Sequence, residues 1–183
     1  APLGGSITDT FTVEAWIKRG ATGGKQTIFS RGESTGGGFR LFLDANGYLT
    51  LSSGDFDGPN FRPFARSSSP IPNVNWHHVA ASKSGQDVKI YVDGSEQTVI
   101  IDAIPTLTAG LGDVVVGAAV GTDYETGDRW YSEYFNGWID EAAVYGSVLP
   151  LPRIQAHVAA AAQTGSGFVR FEVHRSQTQG FTP

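Results

Sequence analysis

From Phe11 to Ile17 the chain alternates: Phe11, Val13, Ala15 and Ile17 fall on one face and Thr12, Glu14 and Trp16 on the other, the period-2 pattern of a strand. After a break from Gly20 to Lys25, Gln26 to Ser30 predicts a second, shorter strand and Glu33 to Gly38 a glycine-rich loop. Phe39 to Leu43 and Tyr48 to Leu51 predict a hairpin closed by Asp44, Ala45, Asn46 and Gly47, because Asn and Gly tolerate the positive φ of a tight connection. Gly54 to Pro72 mixes Gly, Ser, Pro, Asp and Arg with isolated phenylalanines and reads as a long irregular loop. The strand pattern returns from Val74 to Ala81 and from Val88 to Val92, where Asp93 and Gly94 signal a hairpin leading out along Gln97 to Ile101. Val114 to Val120 reads as a strand buried on both faces, and Tyr134 to Tyr145 as the longest β segment, bulged at Gly137. Only Leu151 to Ala162 has helical spacing, with Leu151, Ile154, His157, Val158 and Ala161 recurring after Pro150 and with Pro152 in the first turn. Gly167 to Val173 predicts a last strand before a polar tail to Pro183. Many short strands and one short C-terminal helix imply an all-β chain, two antiparallel sheets packed face to face.

Composition narrows the picture. At 183 residues, with 40% apolar and 17% charged residues, the chain has material for one packed core. The expected division is a domain over residues 1–166 and a C-terminal extension over 167–183. Thirteen scattered basic residues under a net charge of −5 offer no nucleic acid an electrostatic footprint. Zero Cys removes disulfides, thiolate metal sites and cysteine nucleophiles. No apolar run approaches the roughly 20 residues of a membrane span, and Ala1 to Gly5 lacks the layout of a signal peptide.

Six segments, taken in order, resemble the laminin-G-like (LamG) jelly-roll domains of the concanavalin A-like lectin/glucanase superfamily: Phe11 to Lys18, Ile28 to Ser30, Phe39 to Leu43, Asn75 to Ala81, Val88 to Gly94 and Phe135 to Tyr145. The resemblance implies a jelly-roll β-sandwich with a concave and a convex sheet. It also implies a binding module, since the family's members are mostly carbohydrate-binding appendages, adhesion domains, pentraxin-like lectins and bacteriophage head or tail domains. One departure stands at the front. Family domains open with a strand ahead of the Phe11 strand, and here Pro2 to Ile7, Phe168 to Val173 or a neighbouring chain must supply it.

Glycan recognition calls for exposed aromatic faces beside planar polar groups. The loop from Thr122 to Glu133 has both, in Tyr124, Trp130 and Tyr131 beside Asp123, Glu125, Asp128 and Arg129. A second loop places Phe56, Phe61 and Phe64 beside Asp55, Asp57, Asn60 and Arg62. Trp16 and Trp76, inside predicted strands, read as core. Many superfamily members hold calcium, and the carboxylates suited to it here are Asp123 and Asp140, with Asp55, Asp57, Glu125 and Asp128 behind them. Related glycosidases carry closely alternating acids along one strand of the concave sheet. In this chain Glu14 stands alone, and the adjacent Asp140 and Glu141 are expected on opposite faces, as are His77 and His78. Gly36 to Gly38 precedes neither a helix nor a Gly-Lys-Ser/Thr and is no phosphate loop. The expectation is a non-catalytic module, extracellular or on a virion surface, that recognises a glycan or cell-wall polymer through its loops, with calcium as the candidate cofactor. The alternatives are a bacteriophage assembly subunit with protein partners or copies of itself, and a glycoside hydrolase.

Overall fold

The computed structural model describes residues 9–21, 23–32, 38–53, 62–71, 75–107, 114–122, 126 and 128–163. The expected first strand at Pro2 to Ile7 and the C-terminal extension lie outside the described residues. One sheet has five strands in the order β13 (Gly137–Tyr145), β1 (Thr10–Arg19), β6 (His77–Ser84), β7 (Asp87–Val92) and β8 (Ser95–Glu96). The other has six, in the order β10 (Val115–Val116), β2 (Gln26–Arg31), β3 (Phe39–Leu43), β4 (Tyr48–Ser53), β5 (Arg62–Pro70) and β9 (Thr98–Ile100). A separate two-stranded ribbon pairs β11 (Ala119–Thr122) with β12 (Arg129–Ser132). Among the described residues every pairing is antiparallel, as the resemblance implies. Among the described residues no helix is long and apolar enough to cross a membrane.

The core forms as the alternation predicts. Phe11, Val13, Ala15 and Ile17 of β1 meet Leu41 and Leu43 of β3, Leu49 and Leu51 of β4, and Val79 and Ala81 of β6 in one buried cluster. Phe11 stacks on Phe39 across it, ring centres 4.6 Å apart. Both predicted turns close. Gly47 takes φ +89°, and the Asp44 carboxylate accepts from the Asn46 and Tyr48 amides. Asp93 and Gly94 both take positive φ, +50° and +73°, which matches the strand twist of a two-residue hairpin. The returning strand then leaves its partner after two residues: Gln97 N still donates to Ile90 O, and β9 crosses to pair with β5 in the other sheet.

Four expectations need correction. Arg62 to Pro70 is a strand, not loop, and register shifts against β4 turn both Phe64 and Ala65 into the core. Val114 to Val120 is no doubly buried strand: a bend at Gly117 and Ala118, with Gly117 at φ +82°, splits it between the large sheet and the ribbon, and Val116 is exposed. The bulge in β13 lies opposite Ala15, where Glu141 adopts φ +48°, rather than at Gly137. Trp76 stands outside the core, just ahead of β6 and 37% exposed, and Trp16 lies on the outer face of β1, in the row of His78 and Asp140, rather than in the core.

The helix, α1 (Leu151–Gln163), begins where Pro150 O accepts from the amides of Arg153 and Ile154. Ile154 packs on Ala80 and Tyr91 with Leu149 and Leu151, covering part of the outer face of the five-stranded sheet. That cover explains why Thr12 and Glu14, on the polar side of β1, are buried.

Candidate functional site

The ribbon carries the aromatic residues predicted for glycan contact. Its base is fixed by Ser30 of β2, whose hydroxyl donates to Ala118 O at 2.7 Å and accepts from Val120 N at 3.2 Å. Trp130 pairs with Gly121 and lies across it: a Cβ on Gly121 would sit 2.1 Å from the indole, so only glycine admits the ring there. Trp130 and Tyr131 are 42% and 45% exposed. As consecutive strand residues they present opposite faces, so Tyr131 shares its side with Arg129 and Trp130 occupies the other. Asp128 is exposed beside them, its amide held by the Thr126 hydroxyl. Tyr124, Asp123 and Glu125 lie outside the described residues.

Next to the ribbon, Glu133 at φ +46° ion-pairs with the buried Arg40 of β3 and reaches Lys25 at 3.7 Å, while its carbonyl accepts from Thr27 N. Phe135 N donates to Gly117 O, and Asn136 N to the Gln26 side chain. These bonds tie the ribbon's exit to the six-stranded sheet and leave Tyr134 exposed. Of the second predicted cluster only two members fall within the described residues. Phe64 is in the core, Arg62 is an exposed strand residue, and Asp55, Phe56, Asp57, Asn60 and Phe61 lie outside the described residues.

A site that the sequence concealed sits on the opposite sheet. Glu14 Oε1 accepts from the Tyr145 hydroxyl at 2.8 Å and lies 2.8 Å from His157 Nδ1 of α1, while Oε2 is 3.4 Å from His78 Nε2. Burial by itself raises the Glu14 carboxyl, but the His78 contact, the Tyr145 hydroxyl and the His157 charge outweigh it and hold the group below its ordinary 4.5. Burial, reinforced by the bond to Glu14 and its charge, pushes the Tyr145 phenol up to about 12. The β13 bulge turns Glu141 toward this network, so the two acids line one cavity of about 230 Å3 together with Trp16, His78, Tyr145 and His157. The expectation that Glu14 stands alone is thereby corrected. Period-2 reasoning missed it because one extra residue in β13 changes the face on which Glu141 emerges. His77 and His78 do point to opposite faces: His77 faces Asp93 Oδ2 at 2.8 Å, and His78 meets Trp16 edge-on.

For calcium the fit is poor among the described residues, where no three His, Asp or Glu side chains gather as a metal site. Asp140 is buried, and its Oδ1 accepts from the Glu141 amide at 2.8 Å.

Residues 2–155 match the Laminin_G_3 family, described as the concanavalin A-like lectin/glucanases superfamily. No curated protein matches the sequence. Among solved structures, domain 4 of AbnA, a GH43 extracellular arabinanase from Geobacillus stearothermophilus solved with arabinotriose, is similar at 21% identity and a TM-score of 0.62, over 82% of this chain and 66% of that one. The CBM40 of the Ruminococcus gnavus IT-sialidase is similar at 18% identity and 0.61, over 84% of both chains. A putative carbohydrate binding protein from Bacteroides ovatus is similar at 20% identity and 0.60, over 99% of this chain and 50% of that one. At these identities the likeness is one of fold.

Proposed function

Since the chain belongs to the Laminin_G_3 family of the concanavalin A-like lectin/glucanases superfamily, we propose that it is a non-catalytic, extracellular glycan-recognition module that holds sugar on the β11–β12 ribbon. The observation that carries the reading is Trp130, which spreads over Gly121 while remaining 42% exposed. An indole already fixed in place offers its face to sugar C–H groups at little further cost in side-chain entropy. Arg129 and Tyr131, on the ribbon's other side, supply hydrogen-bonding groups for a neighbouring ring. The similar solved domains include one complexed with arabinotriose and a carbohydrate-binding module, which agrees with a sugar ligand.

Within the cavity of the opposite sheet, Glu14 does not suit the role of a glycosidase's general acid, which needs a raised pKa, because its carboxyl is held low and engaged by Tyr145 and His157. The test is a broad glycan array followed by titration of the wild type and Trp130→Ala. Trp130→Ala should weaken binding about tenfold or more. An array with no bound glycan would refute the module, and an unweakened Trp130→Ala would refute the ribbon as its site.

A further inference from the structure

We propose that the part of the five-stranded sheet's outer face left open by α1 is a second glycan platform, built on Trp76, Lys18 and Trp138, that takes an uncharged, extended sugar chain. This rests on the glycan reading above but uses none of the ribbon's residues.

The platform follows from register. Lys18 pairs with Trp138 across β1 and β13, and Ile17 pairs with His77 across β1 and β6, so the next residue outward, Trp76, comes opposite Lys18. Cross-strand partners share a face, so Lys18 and Trp138 stand side by side, and continuing the register one residue past the end of β6 brings Trp76 into the same row. The row behind it is His78, Trp16 and Asp140. Ile17 and Ile139, between the rows, point into the core, so both rows face outward. Trp76 and Trp138 are 37% and 41% exposed, large areas for the residue type that most gains from burial.

Spacing and charge choose the occupant. Two strand spacings separate the flanking indoles, about 10 Å, close to the repeat over which alternate rings of an extended sugar chain present the same face. Lys18 Nζ lies over the Trp138 ring, 5.5 Å from its centre, and so offers ammonium donors to sugar hydroxyls beside that indole. An apolar protein partner would have to bury that ammonium within its contact. By register Asp140 falls one row behind Lys18 on β13, and Glu14 and Glu141 line the cavity beyond it, so carboxylates accompany the strip's ammonium and do not favour an acidic sugar. The strip continues through Trp16 into the cavity shared with Glu14 and Glu141, where a terminal ring can enter beside two carboxylates that disfavour anions.

The experiment uses linear arabinan, xylan and β-glucan, their mono-, tri- and hexasaccharides, and a sialylated trisaccharide, titrated against wild type, Trp76→Ala/Trp138→Ala and Trp130→Ala. The expected result is a loss of about tenfold or more in affinity for a neutral hexasaccharide in the double variant, with little change for the monosaccharide. Because the exposed indoles could still aid folding, Trp76→Phe/Trp138→Phe serves as a second variant and should retain most of the binding. In a Trp130→Phe background, the hexasaccharide should still shift tryptophan emission. If the double alanine variant binds like wild type while Trp130→Ala does not, the platform is wrong and the glycan reading stands. If no sugar binds any form, the glycan reading fails first. Preference for the sialylated sugar, or a concentration-dependent dimer abolished by the double variant, would overturn the assignment of an uncharged chain.

Discussion

Glu14→Gln isolates what the buried charge contributes, because it keeps the shape of the side chain. Oε1 carries two 2.8 Å contacts, to the Tyr145 hydroxyl and to His157 Nδ1. A bond to a charged group contributes about 1.5–3 kcal/mol and a neutral one about 0.5–1.5. Neutralising both therefore removes roughly 2–3 kcal/mol, and relief of the carboxylate's desolvation returns part of it, for a net loss of ~1–2 kcal/mol. The sign of the pH dependence is set by the lowered folded pKa. The stabilisation is present above the unfolded value near 4.5 and is lost as the pH falls through the lower folded value. Urea unfolding of wild type and variant at neutral pH, then stepwise below pH 4.5, should show a gap that narrows toward zero with acid. No gap at neutral pH, or one that stays constant into acid, would refute the account.

Ile154→Ala should cost about 2–5 kcal/mol by opening the contact of α1 with Ala80 and Tyr91, read by chemical denaturation. In alkali, the stability from Tyr145 should hold below its ordinary pKa of 10 and disappear as the pH rises toward 12, followed by phenolate absorbance alongside unfolding. Gly121→Ala drives a methyl into the Trp130 ring, so it should impair sugar binding as Trp130→Ala does while leaving the thermal midpoint within a few degrees.

What could be read in advance divides along physical lines. The β1 alternation, both turns and the helix were legible because each is written in local periodicity or in residues that accept positive φ. Strand β5 was hidden because Arg62 to Pro70 is short of apolar residues, and its inward side is set by register shifts against β4 that no single strand announces. The outward position of Trp16 and Trp76 is not legible, because a strand-like motif does not say which face of a sheet looks outward. The face of Glu141 is not legible either, because a bulge depends on the partner strand. The burial of Glu14 needed α1, more than 130 residues away along the chain, to arrive above it.

The ribbon hydrogen-bonds to itself and is moored to the sandwich largely through Ser30 and the Glu133 ion pairs. Among the described residues β12 pairs with β11 alone, so its exposed side chains can change without disturbing the ladders of either large sheet. Such an arrangement separates surface chemistry from foldability: the fingertip can be altered while the hand stays the same.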